Sequence, residues 1–294
     1  MDFVDWQGFL ARFSDFGSNP THARYLDLFD CQGTVQHPGM VRALARHEIP
    51  SFISVALSTM PDFKLRPVRW CARGEILFVE AASSGTVRHA HVTWPAIYCV
   101  NLRGDRVIRG RSYYDRAAVL SGFEPDLAER RNEAHARALS EEAAQDGLHV
   151  CNGLHADAPT IRKELVEPYI ANWRAPRPER FLDFYTHAGR LLVPGVSNAL
   201  SGNAIADYYR GRLDETQDLQ LGCEIWMARA GQVFFEWRMA GSLAGRPFDL
   251  GAAERLTLDG SRIVEGVSYF DTLSLRTLHD PSIASRTIFD STQQ

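Results

Sequence analysis

Two aspartates that close similar segments are the first residues whose type and place could do chemistry. Asp115 follows Ser-Tyr-Tyr, and Asp271 follows Ser-Tyr-Phe. A carboxylate in apolar surroundings has a raised pKa and can act as a general base on an acidic C–H. Both are candidate catalytic bases, with Tyr113 and Tyr269 as donors to a developing oxyanion. The alternative is a structural role, in which each aspartate caps the strand end or ties it to the next segment.

The two aspartates differ in the neighbours predicted on the same strand face. Because side chains alternate along a strand, one face of the last predicted strand carries Ile263, Glu265, Val267, Tyr269 and Asp271. In the earlier segment Arg109 and Arg111 share a face with Asp115. A guanidinium lowers the basicity of a carboxylate and can bind an anionic or carbonyl oxygen. Asp271 is therefore the better candidate base, and the two arginines are candidate substrate-binding residues.

Histidines and aromatic residues are concentrated in the first half of the chain. His89 and His91 enter a predicted strand as His-x-His, which places both imidazoles on one face, and His37 precedes a Pro-Gly turn. No acidic third ligand follows, so we predict no metal site. His91 is a candidate acid or base, and His37 and His89 are candidate substrate-binding residues; exposed strand histidines are the alternative. Substrate binding by Trp94 and Tyr98 and simple core packing explain those two residues equally well.

Acidic residues also occur in the later strands. A two-residue Asp259-Gly260 turn would set Glu254 opposite Glu265, and neighbouring carboxyls with separated pKa values are a known acid/base arrangement. A one-residue bulge would destroy that pairing, and an exposed face would leave both acids solvated. Glu80 and Glu236 lie within apolar strands, on the faces opposite the expected core. We predict that they face a sheet-to-sheet contact, with Arg73, Arg229 or Arg238 as partners.

The two aspartates belong to an internal repeat with a constant offset of 156. Trp70-Cys-Ala-Arg matches Trp226-Met-Ala-Arg, since 226 − 70 = 156, and the same offset relates Asp115 to Asp271. About a quarter of the positions from Tyr25 to Val119 are identical to their counterparts. We predict a first domain over residues 1–122, a linker over 123–157, a second domain over 158–280 and a tail over 281–294.

Each copy reads as helices followed by strands. The predicted elements of the first copy are a helix at Trp6–Phe13, a short helix after Asn19-Pro20, a helix at Val41–Leu57, and strands at Lys64–Ala72, Glu75–Ser83, Ala90–Leu102 and Arg106–Asp115. In the second copy the third helix is predicted at Asn203–Leu213. The linker is predicted as a helix at Leu127–Leu139 followed by a loop. Helices followed by an antiparallel meander indicate an α+β domain.

Composition excludes several classes of function. The net charge is −4 without a polybasic run, so nucleic acid is not an expected partner. Five scattered cysteines without a Cys-x-x-Cys pair fit a reducing cytoplasm, and neither a signal peptide nor an apolar run of about 20 residues is present. No phosphate-binding glycine loop, nucleophile elbow or dinucleotide motif occurs. We therefore expect no cofactor and no membrane association.

The pattern resembles that of a known family. Three helices, the Pro38-Gly39 turn after a short strand, the step Pro61-Asp62-Phe63 and a closing strand that ends in Asp resemble the SnoaL-like polyketide cyclases of the nuclear transport factor 2-like superfamily. The closing pattern of that group usually reads Glu-x-Trp-x-x-x-Asp. The second copy keeps both acids, as Glu265-x-Val267-x-x-x-Asp271, whereas the first copy keeps only the Asp.

The resemblance implies a fold and an arrangement. The fold would be two cone-shaped α+β barrels, each with a curved antiparallel sheet wrapping three helices, and the closing strand's face would line a pocket. It also implies the role of general base for the closing Asp. Single domains of this type commonly dimerise through their sheets, so the tandem copies are expected to form an intramolecular pseudo-dimer. The protein would be a monomer or a low-order homo-oligomer.

The expected function is that of a cofactor-independent enzyme of small-molecule metabolism. A pocket Asp would act as base on an apolar, carbonyl-containing substrate in a cyclisation, isomerisation or dehydration. One alternative is water activation of the epoxide hydrolase type, and another is a non-catalytic small-molecule-binding protein. A third is division of labour, in which one pocket is active and the other is degenerate.

Overall fold

The computed structural model of the protein describes residues 4–121, 133–144, 152–156, 158–216, 218–280 and residue 283. Within that part of the chain no helix is long and apolar enough to cross a membrane. The predicted linker helix begins at Leu127, so its first six residues lie outside the described residues, as does most of the predicted tail.

The first repeat follows the predicted order of helices and strands. Its elements are α1 (Trp6–Ser18), α2 (His22–Asp27), β1 (Phe29–Gln36), β2 (Leu44–Ala45), α3 (Ile49–Thr59), β3 (Lys64–Arg73), β4 (Ile76–Val87), β5 (Ala90–Arg103), β6 (Arg106–Tyr113) and α4 (Arg116–Leu120). The predicted start of the third helix at Val41 is wrong. Residues 44–45 pair with β1 instead, and α3 begins at Ile49 with Pro50 in its first turn, where proline is tolerated.

The second repeat has the same order, preceded by two elements of the linker. The linker contains α5 (Glu133–Ala144) and a short strand, β7 (Asn152–Leu154), where a loop was predicted. The repeat consists of α6 (Pro159–Ile161), a π-helical turn (Arg162–Val166), α7 (Glu167–Arg174), α8 (Pro178–Leu182), β8 (Tyr185–Leu192), β9 (Leu200–Ser201), α9 (Asn203–Glu215), β10 (Gln220–Arg229), β11 (Gln232–Leu243), β12 (Arg246–Asp259), β13 (Arg262–Tyr269) and α10 (Thr272–His279).

The strands form one sheet in each repeat. The strand orders are β2-β1-β6-β5-β4-β3-β7 and β10-β11-β12-β13-β8-β9. One face of each sheet packs on the helices of its own repeat, with Val79 in the first core and Phe235 in the second, as predicted. The α+β prediction is confirmed. We call the space between sheet and helices of each repeat its cone.

A bulge in the closing strand reverses the predicted faces. The pairing of β13 with its neighbours shifts between Ile263 and Glu265 on one side and between Thr257 and Leu258 on the other. Ile263 therefore lies in the core of the second repeat, whereas Val267 and Tyr269 lie between the two sheets. The prediction of a single concave face for these residues is wrong, because strict alternation fails at a bulge.

The two repeats pack sheet against sheet. Phe78 and its counterpart Phe234 stack with ring centroids 5.8 Å apart, inside an apolar cluster drawn from both sheets. Glu80 and Glu236 face this contact, as predicted, and both are buried. Their predicted arginine partners are wrong, since other arginines are the ones that reach them.

The actual partners of the two glutamates come from both repeats. Arg255 Nε lies 2.9 Å from Glu80, and Arg69 Nη1 lies 2.6 Å from it. Glu236 forms an ion pair with Arg111. Each glutamate also accepts a hydrogen bond from the other repeat's tyrosine. The pseudo-dimer is thus held by buried charge pairs around an apolar centre.

Candidate active site between the two repeats

A cavity larger than the others described below lies between the repeats. Its volume is about 320 Å³, within the range typical of small-molecule sites. We call it the Asp115 cavity. It is lined by His91, Thr93, Trp94, Pro95, Asp115, Ala118, His135, Ala136, Arg137, Leu192, Val193, Pro194, Gly195, Ser268 and Tyr269. Both repeats and the linker helix α5 therefore contribute to one space.

Asp115 lies in the wall of this cavity with only neutral hydrogen-bond donors around its carboxyl. The group caps α4 through the backbone N–H of Ala117 at 3.1 Å, and it accepts from Thr272 Oγ1 at 2.8 Å and from Thr272 N at 3.1 Å. Burial is the main cause that raises the pKa of Asp115 to about 7, and the nearby charge of Asp271 adds to it. A carboxyl of this kind exchanges its proton near neutral pH.

Asp271 occupies the corresponding place but contacts a cation. It accepts from Arg116 Nε at 2.8 Å and from Arg116 N at 3.1 Å, and it caps α10 through Ser274 N at 3.1 Å. The prediction that Asp271 has the more apolar surroundings is therefore wrong. The difference comes from one position, because Arg116 and Thr272 correspond in the repeat, as 272 − 116 = 156.

A smaller cavity lies beside Asp271 and corresponds to the Asp115 cavity. Its volume is about 100 Å³, and its walls include His37, Arg111, Tyr113 and Asp271. Arg116 takes up space at this end: a Cβ placed on Gly39 would lie 2.1 Å from its Cζ, whereas one on Gly195 would lie 3.3 Å from Thr272 Cγ2. The smaller cavity thus occurs where the larger side chain is present.

The predicted tyrosines and Arg111 are engaged in the contact between the sheets. Tyr269 donates its hydroxyl proton to Glu80, and Tyr113 donates to Glu236. Arg111 pairs with Glu236 and also donates to Asn101 Oδ1 at 3.1 Å. These side chains border the two cavities, but their polar atoms already have buried partners.

The cone of the first repeat contains His37, Trp94 and Tyr98 around a remaining volume of about 80 Å³. His37 Nδ1 lies 2.7 Å from Ser112 Oγ, and its Nε2 lies 3.1 Å from Tyr25 Oη. Burial lowers the pKa of His37 to about 4, so its imidazole is neutral at physiological pH. The structure therefore brings three predicted substrate-binding residues into one largely apolar space.

The cone of the second repeat contains Glu254. Its carboxyl accepts from Tyr169 Oη at 2.9 Å and from Trp237 Nε1 at 3.3 Å, and burial raises its pKa to about 7. The predicted pairing with Glu265 is wrong: Asp259 pairs with Arg262, so the turn lies at Gly260-Ser261, and with the bulge Glu254 pairs with Ser268. Glu265 instead forms ion pairs with Arg190 and Arg255.

The remaining predicted residues do not form a common site. His89 lies in the turn after β4, so it does not share a strand face with His91, and the His-x-His interpretation is wrong. His91 lines the Asp115 cavity, and Arg109 is exposed on β6. Among the described residues, no group of His, Cys, Asp and Glu has the arrangement of a metal site.

Some residues of the cavity were not predicted. His135 and Arg137 come from α5, in the segment treated as a linker, where sequence gives no sign of their approach to Asp115. Burial lowers the pKa of His135 to about 4. Thr272 could have been found, because the residue after each closing aspartate is one of the positions at which the copies differ.

Comparisons by sequence give no relative: no family model matches the chain, and no curated protein matches it. Solved structures do match, over about one repeat each. A nuclear transport factor 2-like protein of unknown function from Burkholderia pseudomallei is 13% identical, with 40% of this chain and 96% of that chain covered and a TM-score of 0.38.

Two further structures give similar values. A hypothetical protein with a ketosteroid isomerase-like fold from Catenulispora acidiphila is 14% identical, covering 40% of this chain and 93% of that chain, with a TM-score of 0.37. A candidate SnoaL-like polyketide cyclase from Jannaschia is 15% identical, with 42% of this chain and 96% of that chain covered and a TM-score of 0.36. Each of these structures is similar to about one of the two α+β repeats of this chain.

Proposed function

We propose that the protein is an enzyme that moves a proton on a small, largely apolar molecule containing a carbonyl group. The reaction takes place in the Asp115 cavity, with Asp115 as the general base. The observation that carries the proposal is the partly buried carboxyl of Asp115, which meets only neutral donors and lines a cavity of about 320 Å³. A base with a pKa near the working pH gives efficient proton transfer.

The proposed step is removal of a proton from the carbon next to the carbonyl. The proton moves to Asp115, and the C–H electron pair forms an enolate. Trp94, Leu192 and Val193 offer apolar surface to the body of the substrate, and the exposed guanidinium of Arg137 lines the same cavity and can donate to the enolate oxygen. Return of the proton to another carbon gives isomerisation, and attack of the enolate carbon on a second carbonyl of the same molecule gives cyclisation. Departure of a hydroxyl from the next carbon, with the proton returned by Asp115, gives dehydration and releases water.

The direct test measures exchange at the α-carbon of 2-tetralone, a small apolar ketone, in deuterated water by NMR. We expect the wild type to accelerate exchange and Asp115→Asn to lower the rate by about 100-fold or more. The amide oxygen can still cap α4, so the fold should persist. Asp271→Asn, the same change at the corresponding position, should retain most of the rate. Because the base must be ionised, the rate should rise with pH through about 7 and then level off.

Two results would contradict the proposal. Equal exchange rates in the wild type and Asp115→Asn would show that Asp115 is not the base. Saturable binding of ketones without any accelerated exchange would instead support the non-catalytic binding protein.

Water activation is a second candidate function, favoured by one further observation. Arg116 contacts Asp271 at 2.8 Å, and the charge of Asp271 acts on Asp115, so two acids and an arginine lie together. In this reaction Asp115 would take a proton from water as the water oxygen attacks an epoxide carbon. The C–O bond at that carbon breaks, and the alkoxide that leaves takes up a proton from solvent to complete the diol. Incorporation of ¹⁸O from labelled water into a diol, tested with styrene oxide, would support it, and unchanged epoxide would exclude it for this class of substrate.

A further inference from the structure

The cone of the second repeat contains a carboxyl group, which the packing of apolar side chains does not explain. Glu254 is buried, and only the hydroxyl of Tyr169 and the indole N–H of Trp237 donate to it. The corresponding residue of the first repeat is Tyr98, since 254 − 98 = 156. An ionised carboxyl buried without a cation carries a desolvation cost, because no opposite charge compensates for the lost water.

A second polar atom in the same cone has no hydrogen-bond partner. The side chain of Trp173 is 7% exposed, and its Nε1 has no partner among the described residues. Trp173 and Glu254 line the same cavity of about 80 Å³, several times the volume that one water needs. A buried N–H without an acceptor is unfavourable, so an acceptor atom of a ligand fits this place.

The cone and the Asp115 cavity share part of their walls. Val193 and Ser268 line both spaces, and Ser268 pairs directly with Glu254 across the adjacent strands. In the first repeat the corresponding residues are His37 and Ser112, whose side chains are joined by a contact of 2.7 Å. Valine cannot form such a contact, so the wall of the second repeat lacks this connection.

We infer that the cone of the second repeat is an inner compartment of the same site, and that Glu254 and Trp173 bind the far end of the substrate. The substrate class is an elongated, largely apolar molecule with a carbonyl or hydroxyl group at the inner end and the reacting carbonyl at Asp115. The inference rests on the proposed function for the outer end. Trp173 donates to the inner oxygen, and Glu254 accepts from a hydroxyl or, when protonated, donates to a carbonyl.

The test compares two ketones of different length on the full chain. The long probe is 6-propionyl-2-(dimethylamino)naphthalene, whose fluorescence reports binding, and the short probe is 2-tetralone, followed by its exchange in deuterated water. Glu254→Gln and Trp173→Phe should each weaken binding of the long ketone by about tenfold, the effect of one lost buried interaction. They should change exchange of the short ketone less than about threefold.

Controls separate this inference from the proposed function. Glu224→Gln removes an exposed carboxylate of the same repeat and should change neither readout. Asp115→Asn should abolish exchange of 2-tetralone while the long ketone still binds. Glu254→Gln is nearly isosteric, so it remains informative if Trp173→Phe fails to fold. Equal affinity of the long ketone for the wild type, Glu254→Gln and Trp173→Phe would overturn the inference, as would the absence of saturable binding to the wild type.

Discussion

The Asp115 cavity and the smaller cavity beside Asp271 are built from corresponding residues and differ in one decisive contact. Asp271 of the second repeat contacts the guanidinium of Arg116 from the first repeat. Asp115 of the first repeat contacts the hydroxyl of Thr272 from the second. The arginine neutralises its carboxylate and takes up space, whereas the threonine does neither. The comparison teaches that a single substitution between duplicated segments can give one carboxylate a cation and leave the other with neutral donors only.

Removal of the two contacts should have unequal effects on stability. Arg116→Ala leaves the buried Asp271 carboxylate without its cation, and we expect a loss of about 3–5 kcal/mol in the free energy of unfolding. Thr272→Ala removes neutral hydrogen bonds and should cost about 1 kcal/mol. Urea unfolding of both variants checks this, and equal losses would contradict the difference between the two ends.

Introducing the arginine at the other end should suppress the activity. Thr272→Arg places a guanidinium beside Asp115, which lowers the pKa of its carboxyl and fills part of the cavity. We expect exchange of 2-tetralone to fall by about 100-fold and its pH midpoint to move below 7. Thr272→Met, which introduces a long side chain without a charge, is the control. A similar loss of rate in both variants would mean that charge is not the cause.

The pH dependence of stability should reveal the raised pKa of Asp115. In the unfolded chain its carboxyl ionises near pH 4, whereas in the folded protein burial raises the pKa to about 7. Between these values the folded state holds the extra proton, so the wild type loses stability as the pH rises. Asp115→Asn lacks this effect. The free energy of unfolding of Asp115→Asn, relative to that of the wild type, should therefore increase by about 1 kcal/mol per pH unit between pH 4 and 7.

The difference in free energy of unfolding should stop increasing above pH 7, where the Asp115 carboxyl is ionised in both the folded and the unfolded state. Thermal or urea unfolding at a series of pH values would measure it, with Glu224→Gln as the control for loss of an exposed charge. A constant difference between the variant and the wild type across this range would contradict the raised pKa.

The smallest contrast concerns the two interface tyrosines, which form the same kind of hydrogen bond although the two glutamates differ in their arginine partners. Tyr113→Phe and Tyr269→Phe each remove a hydrogen bond to a buried glutamate. We expect each to cost roughly 1.5–3 kcal/mol and the two costs to agree within about 0.5 kcal/mol. A large inequality, measured by urea unfolding, would mean that the asymmetry extends beyond the closing aspartates.

The fold followed from sequence because its signals are local and occur twice. The offset of 156, the helix patterns and the alternating strands indicate two α+β domains, and Glu80 and Glu236 were placed correctly by the apolar face opposite them. The site followed less well. A strictly alternating pattern of side chains does not reveal the bulge after Ile263. Residues that were predicted on the concave face therefore lie between the sheets.

The cavity itself could not be predicted from patterns within one repeat. It arises where the two sheets and α5 meet, so its shape depends on packing between distant segments. Asp115, Tyr269, His91 and Trp94 were all named from the sequence, and the structure brings these four to one cavity. The surroundings of the two aspartates were predicted in reverse, because the side chain of Arg116 contacts Asp271 across the interface and not Asp115, its neighbour in the chain.

The covalent link between the repeats has a consequence for how such a site can evolve. In a dimer of identical chains, every substitution at a two-fold interface occurs at both ends. An arginine after the closing aspartate would then neutralise both carboxylates, and a threonine would neutralise neither. Joining the copies in one gene removes this constraint, so one end can keep the ion pair that secures the assembly while the other is free to change.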